Sequence, residues 1–298
     1  MLDDRIFLKA YGKINLALDV LRKREDGYHE VRMIMQTVSL YDGIEIIRNS
    51  TGQIEIESNV FYVPNNENNI AYKAAKLLIE EFDIKEGVHI YIKKFIPVSG
   101  GMAGGSTDAA SVLFGMNKLF NLGLNLRELM ERGVKLGADV PYCLMRGTAL
   151  SEGIGEKLTR LPDMVKCPIL IAKPPISVST RFVYEHLKLD EVKQHPDIDG
   201  MIEALKNRDL GGIASRLGNV LETVTIEQYP RIQEIKEVML ENHAINAIMS
   251  GSGPTVFGLF ETSEEAYIAK EKLKELNYAK QLFVTDVFLP GAGRKTTQ

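Results

Sequence analysis

The chain has 298 residues, of which 45% are hydrophobic and 26% charged, and its formal net charge is −4. This globular composition excludes disordered and fibrous proteins and predicts two domains or one large one. The slight acidity argues against a nucleic-acid partner, and no apolar stretch reaches the roughly 18 residues of a membrane span. Two cysteines, Cys143 and Cys167, cannot form a disulfide framework and predict reduced thiols in a cytoplasmic protein.

Hydrophobic periodicity predicts strands and helices that do not alternate regularly along the chain. In chain order, the expected elements are strands at 5–20, 31–40 and 43–48, a helix at 69–82, a strand at 88–95, helices at 107–120 and 125–136, a strand at 168–173, helices at 199–217 and 228–242, a strand at 254–260, a helix at 263–275 and a strand at 281–288. This order favours an α+β fold over a doubly wound sheet.

A weaker boundary near 155–165, where Gly and Pro interrupt the pattern, predicts two domains. The amino-terminal domain would span 1–157 and the carboxy-terminal domain 158–298. Whether the last strand returns to the first domain is left open by the pattern.

The most informative segment is glycine-rich and lies between a predicted strand and a predicted helix: Pro97–Ala110, PVSGGMAGGSTDAA. Glycine permits positive φ and a close approach to the main chain. Ser106 and Thr107 are expected where the helix starts, so free N–H groups and the positive end of the helix dipole would face an anion such as phosphate. Their hydroxyls could also contact Mg²⁺. The alternative interpretation is a flexible connector.

The loop ends without the Gly-Lys-Ser/Thr of a Walker motif and lacks the Gly-x-Gly-x-x-Gly dinucleotide pattern, and the chain has no protein-kinase signature. It resembles instead the phosphate loop of the GHMP superfamily, named for galactokinase, homoserine, mevalonate and phosphomevalonate kinases. Residues 10–18 with 27–31 resemble the amino-terminal motif of that superfamily, and 249–257 resembles its carboxy-terminal glycine motif. The loop has Ala103 where the family often has Gly, and Thr107 where it often has Ser.

The segments 13–16 (KINL), 26–29 (DGYH) and 136–141 (LGADVP) are similar to one branch of the superfamily. The resemblance implies a two-domain α+β GHMP kinase fold, with an ATP-binding first domain and the active site in the cleft between the domains. It also implies a small-molecule kinase of the non-mevalonate isoprenoid precursor pathway. The substrate would be a cytidine diphosphate adduct of methylerythritol, phosphorylated at its 2-hydroxyl, with ATP and Mg²⁺ as cofactors and the protein a monomer or weak homodimer.

Two residues, Lys13 and Asp139, are the candidates for catalysis. An Asp at this position, before Val-Pro, is more often a turn former, but the resemblance implies that Asp139 is the base for the attacking hydroxyl. Lys13 alternates with Asn15 on a predicted strand, so both side chains are expected on one face. Lys13 could be an ordinary solvated lysine. The resemblance places it beside the base, and it places Asn15 and Asp139 near the substrate alcohol.

For the nucleotide, the resemblance implies Asn69 and Ile70 at the adenine and Lys94 near the ribose or base, although Lys94 could also be a solvated strand end. The loop residues assigned to ATP are Pro97, Gly100, Gly101, Met102, Ala103, Gly104, Gly105, Ser106 and Thr107, the last two also contacting Mg²⁺ held through the nucleotide.

For the cytidine base, the resemblance implies a stacking ring from Tyr28 and an edge-reading imidazole from His29. The second ring would come from Tyr184, with Phe182 as the alternative, although these residues could simply lie on the surface. Hydrogen bonds would then select the base that the two rings stack.

Two other functions remain open at this point: a sibling kinase acting on homoserine or mevalonate, and a silent nucleotide-binding protein on the same fold. The turn that carries Tyr28 and His29, here called the aromatic turn, argues against the sibling kinases, because their substrates have no base to stack. Lys13 and Asp139 together argue against a silent protein. The five histidines lack paired spacing, so no structural zinc is expected.

Overall fold

The computed structural model describes residues 4–290 and contains two compact units that are interleaved along the chain. Unit 1 consists of residues 4–12, Leu40–Val98 and Ala103–Met145. Unit 2 consists of Lys13–Ser39, Ser99–Met102 and 146–290. The predicted functional division at residue 157 stays a prediction.

Two long strands contribute residues to both units. Strand β1 spans Arg5–Lys23 and β2 spans His29–Asn49, so the two strands predicted at 31–40 and 43–48 form one continuous strand. The intervening turn is closed by Asp26, whose carboxylate accepts the Tyr28 N–H at 3.0 Å. A short polar side chain that bonds the backbone two residues on is typical of such turns.

Unit 1 packs helices against a sheet made by the second half of β2 together with β3 (Ile54–Ser58) and β4 (Gly87–Lys93). Strand β4 pairs antiparallel with β2 and parallel with β3. The helices are α1 (Ile70–Glu81), α2 (Gly104–Leu119), α3 (Leu126–Val134) and α4 (Val140–Met145). Alternate strand residues Ile44, Ile46, Ile90 and Ile92 are buried, as expected for a sheet with one face on the core.

Unit 2 contains further strands that pair with the second half of β1 and the first half of β2, and a separate four-stranded sheet. Strand β5 (Thr148–Gly153) pairs with β2, β6 (Lys157–Arg160) pairs with β5, and the two-residue β8 (Gly218–Asn219) pairs parallel with β1. The second sheet has the order β11-β7-β10-β9. Its strands are β7 (Pro168–Lys173), β9 (Asn246–Met249), β10 (Val256–Leu259) and β11 (Gln281–Asp286).

Six helices complete unit 2 within the described residues: α5 (Thr180–His186), α6 (Ile198–Lys206), α7 (Leu210–Ala214), α8 (Glu222–Gln228), α9 (Arg231–Glu241) and α10 (Ser263–Glu275). A 3₁₀ turn covers Leu189–Glu191. The helix predicted over 199–217 is therefore wrong as a single element. Arg208 adopts positive φ, and Asp209 caps a new helix by accepting the Gly212 N–H, which together break the run.

The α+β class is confirmed, and several elements match their predicted bounds closely, such as α1, capped by Asn69, and α10. Strand β11 pairs with β7, and just beyond it Val287 bridges Val38 within unit 2. Between residues 4 and 290, no helix has the length and apolar character needed to cross a membrane.

Candidate active site

The glycine-rich loop contacts backbone from another part of unit 2. Gly101 has φ of +74°, and a Cβ there would lie 2.1 Å from the carbonyl oxygen of Ser250. Gly251, in the second glycine motif, would place a Cβ 3.1 Å from the Gly101 oxygen. The two glycine motifs singled out in the sequence therefore pack backbone against backbone, which only glycine permits at these positions.

Helix α2 begins at Gly104, three residues earlier than the predicted start at 107. Ala103 is its N-cap in the left-handed conformation, and Thr107 N–H donates to the Ala103 carbonyl at 2.9 Å. The N–H groups without an intrahelical partner are therefore those of 104–106 rather than those from Ser106 onward. Thr107 is buried and Ser106 half-buried, so the Ser106 hydroxyl is the more accessible of the two for a ligand.

Lys13 is buried, with 5% of its surface exposed, so its interpretation as a solvated strand lysine is wrong. Its ammonium donates to Asn15 Oδ1 at 2.7 Å and to the Gly101 carbonyl at 3.2 Å. The shared strand face predicted for Lys13 and Asn15 is thus present. The Asn15 amide group lies 3.2 Å from Met33 Sδ. A buried ammonium whose acceptors include a loop carbonyl is an electrostatic group held in a defined position.

Asp139 lies in unit 1, immediately before α4. Its carbonyl accepts the Cys143 N–H at 3.0 Å, so it starts the first turn of that helix. The residue is half-buried, which leaves part of its surface open to a reactant. The turn-forming role expected of an Asp here is therefore real, and it does not compete with a role as a base, because it uses the main chain.

Lys94 is not a solvated strand end, because it is buried between two carboxylates of unit 1. Its Nζ lies 2.5 Å from Asp42 Oδ2 and 2.6 Å from Asp108 Oδ2. Asp42 Oδ1 also accepts the N–H groups of Phe95 and Ile96. Burial raises the pKa of Asp108 well above its ordinary value, opposed by the Lys94 charge and helped by the Asp42 charge.

Lys94, Asp42 and Asp108 form a buried cluster of ionisable groups at the start of α2, and sequence reasoning missed both carboxylates. A Cβ on Gly104 would lie 3.2 Å from Lys94 Nζ, so the cluster touches the phosphate-loop helix directly. Asp108 Oδ1 is buried and has no hydrogen-bond partner among residues 4–290. The available signal was Asp108 itself, a carboxylate in the first turns of a helix that is otherwise lined by small residues.

Asn69 and Ile70 both lie at the start of α1. The Asn69 side chain holds the start of the helix: its oxygen accepts the Ala71 N–H at 2.9 Å and its amide donates to the Pro64 carbonyl at 2.8 Å. Ile70 lies against the first turn of α2, since its Cγ2 would be 3.4 Å from a Cβ on Gly105. The structure brings Ile70 and the phosphate-loop helix together.

The aromatic turn faces a cavity in unit 2. The rings of His29 and Tyr184 have centroids 5.1 Å apart, and both line a cavity of about 350 Å³ together with Lys23 and Lys188. Tyr28 is 62% exposed, so its ring is available but is not against Tyr184. Phe182 stacks on His186 instead, with centroids 3.9 Å apart. This geometry favours Tyr184 over Phe182 as the second ring.

The protonation of His29 suits base recognition. Burial lowers the pKa of His29 below its ordinary value, and the nearby Lys23 charge lowers it further. At neutral pH the imidazole is therefore neutral, with one N–H donor and one acceptor nitrogen. Such a group can pair with the donor and acceptor edge of a nucleobase.

No group of three or more His, Cys, Asp and Glu side chains within 4–290 has the arrangement of a metal site. The two cysteines are buried thiols, and burial raises the pKa of Cys167 to about 12. The Cys167 thiol is therefore not a nucleophile at neutral pH.

Two family models match the chain. Residues 69–147 match the GHMP kinases N terminal domain and residues 201–279 match the GHMP kinases C terminal domain. Two relatives are named 4-diphosphocytidyl-2-C-methyl-D-erythritol kinase. The one from Lachnospira eligens is 57% identical over 96% of this chain and 100% of its own length. The one from Caldicellulosiruptor saccharolyticus is 52% identical over 94% of this chain and 96% of its own length.

Solved structures agree with these matches. A crystal structure of 4-(cytidine 5'-diphospho)-2C-methyl-D-erythritol kinase has a TM-score of 0.80 and 29% identity, covering 95% of this chain and 99% of its own. A homoserine kinase from Cytophaga hutchinsonii has a TM-score of 0.73 and 19% identity, covering 96% of each chain. At that identity the second likeness shows the fold alone.

Proposed function

Because the chain belongs to the GHMP kinase family, and within it to the 4-diphosphocytidyl-2-C-methyl-D-erythritol kinases, we propose a mechanism for its reaction in terms of its own residues. The chain is a kinase that transfers a phosphoryl group from ATP to the 2-hydroxyl of that cytidine diphosphate adduct. The homoserine and mevalonate alternatives are not supported, since those structures share the fold at less than 20% identity. The assignments of individual residues below are proposals.

The observation that carries the mechanism is the buried ammonium of Lys13. A lysine that is 5% exposed, and whose acceptors include the Asn15 amide oxygen and the Gly101 carbonyl, holds positive charge at a defined, buried position. Such a charge stabilises an oxygen that becomes negative during reaction more strongly than it would in water. We assign Lys13 to stabilising the substrate 2-oxygen as it attacks, with Asn15 orienting both the ammonium and the alcohol.

We assign Asp139 as the base that accepts the proton of the attacking hydroxyl. As the new oxygen–phosphorus bond forms, the bond from the γ-phosphorus to the leaving oxygen of ADP breaks, and the hydroxyl proton passes to the Asp139 carboxylate. Its position before α4 keeps the main chain at this point fixed, because its carbonyl is committed to the Cys143 N–H. The carboxylate thus acts from a rigid turn.

The phosphate loop is assigned to the triphosphate of ATP. The unpaired N–H groups at residues 104–106 and the positive end of α2, a 16-residue helix, supply the donors for phosphate oxygens. Mg²⁺ usually keeps several waters and binds through substrate phosphates and one or two protein oxygens, so the half-buried Ser106 hydroxyl suits it, with Thr107 as the second candidate. When bound, Mg²⁺ neutralises charge on the phosphates.

The cytidine base is assigned to the cavity lined by His29 and Tyr184. The Tyr184 ring supplies a stacking face and neutral His29 supplies hydrogen bonds to the base edge, while the exposed Tyr28 ring can close on the other face. The charged lining of the cavity is mixed, because Glu185, Asp190 and Glu191 line it beside Lys23 and Lys188, so the assignment of the base rests on the rings and the imidazole rather than on charge.

The function is tested by ADP release with the cytidine adduct, homoserine and mevalonate offered in parallel to one enzyme preparation. We expect ADP release with the cytidine adduct alone, and phosphate on its 2-oxygen by phosphorus NMR of the product. ADP release with homoserine or mevalonate at an equal kcat/KM would contradict the assignment. Absence of release with all three substrates would contradict kinase function altogether.

A further inference from the structure

Asn219 uses all of its side-chain hydrogen-bonding groups to hold one short segment of unit 2. It is 7% exposed, and its amide nitrogen donates to the carbonyls of Met249 and Gly251, both at 2.8 Å. Its side-chain oxygen accepts the Leu221 N–H at 3.0 Å. The mechanism proposed above does not use this residue.

The same segment is held a second time by Glu222. One carboxylate oxygen accepts the Met249 N–H at 2.8 Å and the other accepts the Lys236 ammonium at 2.7 Å. Met249 is therefore fixed through both its N–H and its carbonyl. The segment continues into Gly251 and Gly253, whose φ values are +59° and +86°. Because glycine has the greatest backbone freedom of any residue, these hydrogen bonds are needed to fix the conformation of the segment.

At its other end, Asn219 is anchored to the strand that carries Lys13. Strand β8 pairs in parallel with β1, with Leu18 opposite Asn219, and Val220 N–H donates to the Leu18 carbonyl at 3.1 Å. Lys13 and Asn15 lie on β1 a few residues before this pairing. The position of Asn219 is thus fixed relative to Lys13 by a continuous strand.

The segment that Asn219 holds supports an acceptor of the Lys13 ammonium. Ser250 Oγ donates to the Gly101 carbonyl at 3.0 Å, and Lys13 Nζ donates to the same carbonyl at 3.2 Å. A closed ring of contacts results, running from β1 through Asn219 and Ser250 to the Gly101 carbonyl and back to Lys13. All of its members lie in unit 2.

We propose that Asn219 is a positioning residue for phosphoryl transfer, which holds the Gly101 carbonyl, and through it the Lys13 ammonium, in the reactive position. The inference rests on the role proposed above for Lys13. Asn219 acts through Ser250 and Gly101 and touches no reactant. Loss of its amide lets the glycine segment move, so the carbonyl that helps to aim the ammonium moves with it. A misplacement of about 1 Å at a reacting group costs up to about 100-fold in rate.

The primary test compares Asn219→Ala with a matched variant, Asn246→Ala. Asn246 lies in the same unit and also donates its amide to a backbone carbonyl, that of Ala214 at 2.7 Å, while its oxygen accepts the Ala247 N–H. Among residues 4–290, the Asn246 side chain makes no hydrogen bond to Asn219, Ser250, Gly101 or Lys13. We expect Asn219→Ala to lower kcat about 10- to 100-fold with both KM values changed by less than about 3-fold, and Asn246→Ala to keep kcat within about 2-fold.

Two further variants keep the test decisive if Asn219→Ala does not fold. Asn219→Asp preserves the shape and the acceptor but removes both donors, so it should lose kcat like the alanine variant. Ser250→Ala breaks the ring at a single hydroxyl and should lower kcat about 3- to 10-fold with the melting temperature little changed.

The outcomes separate this inference from the proposed function. If the wild-type enzyme releases no ADP with the cytidine adduct, or if Lys13→Ala keeps full kcat, the proposed function or the role of Lys13 fails. If Lys13→Ala is inactive while folded Asn219→Ala, or Ser250→Ala, has the same kcat as Asn246→Ala, the positioning role of Asn219 is overturned. Equal losses of stability in Asn219→Ala and Asn246→Ala with a kcat loss in Asn219→Ala alone would support it.

Discussion

Replacing Gly101 by Ala tests the packing of the two glycine motifs most directly. The added Cβ would lie 2.1 Å from the Ser250 carbonyl oxygen, with the Ser250 carbonyl carbon at 3.1 Å as well. That oxygen belongs to the backbone and cannot turn aside as a flexible side chain would. One of the two backbone segments must therefore retreat by about 1 Å or more to reach van der Waals separation.

The expected loss has three parts. Holding Ala at φ of +74° costs about 1–2 kcal/mol. The retreat also breaks the hydrogen bond from Ser250, worth about 1 kcal/mol, and weakens that from the Lys13 ammonium, worth about 1.5–3 kcal/mol. Allowing for partial relaxation, we expect the free energy of unfolding to fall by about 3–5 kcal/mol. The kcat should fall about 100-fold, because the Lys13 ammonium loses an acceptor.

Gly123→Ala is a matched control, since Gly123 has the same φ of +74° but no atom within 4 Å of its added Cβ. It isolates the cost of the backbone conformation, about 1–2 kcal/mol, and should leave kcat unchanged. Denaturant titration gives the two free energies of unfolding, and ADP release under saturating substrates gives kcat. The reasoning is refuted if Gly101→Ala matches Gly123→Ala in both quantities, because the close approach would then have no energetic consequence.

Four further predictions concern single side chains. Asp139→Ala should lower kcat about 10²–10⁴-fold with an unchanged calorimetric affinity for ATP, and a near-normal kcat would remove it as the base. Tyr184→Ala should raise the KM for the cytidine substrate about 5–150-fold, whereas Phe182→Ala should not, since stacking a base is worth about 1–3 kcal/mol. Ala103→Gly should raise the free energy of unfolding by about 1 kcal/mol by relieving the left-handed conformation, and a lower melting temperature would contradict this. Burial raises the pKa of Asp108, so the folded chain retains a proton that the unfolded chain releases, and the stability from Asp108 is lost as pH rises through its folded pKa. Asp108→Asn should therefore gain stability relative to wild type as pH rises above the ordinary range of an Asp carboxyl, and a pH-independent difference would refute it.

Much of the site was visible in the sequence because it rests on local chemistry. The run of glycines before a helix predicted a phosphate loop, and the alternation of Lys13 and Asn15 predicted their shared face. Each of these inferences needs only neighbours a few residues apart.

Other predictions failed where a local pattern had competing solutions. The helix predicted from 107 begins at Gly104 instead, after Ala103 in the left-handed conformation. The run at 199–217 reads as one helix until Arg208 and Asp209 break it. The interpretation of Lys94 as a solvated strand end is wrong, because Asp42 and Asp108 bury its ammonium between them. These carboxylates lie 52 and 14 residues away along the chain, so the local pattern does not reveal them.

The sequence by itself determined the class of fold, the family, and the residue types of the site, since these depend on periodicity and on motifs with short spacing. Only the tertiary structure decided which groups meet: Gly101 with Ser250, Lys13 with the Gly101 carbonyl, and Asn219 with Gly251. These contacts join residues 149, 88 and 32 positions apart, respectively. Local propensity carries no information about such pairs, because their energies arise only after distant segments have packed and excluded water.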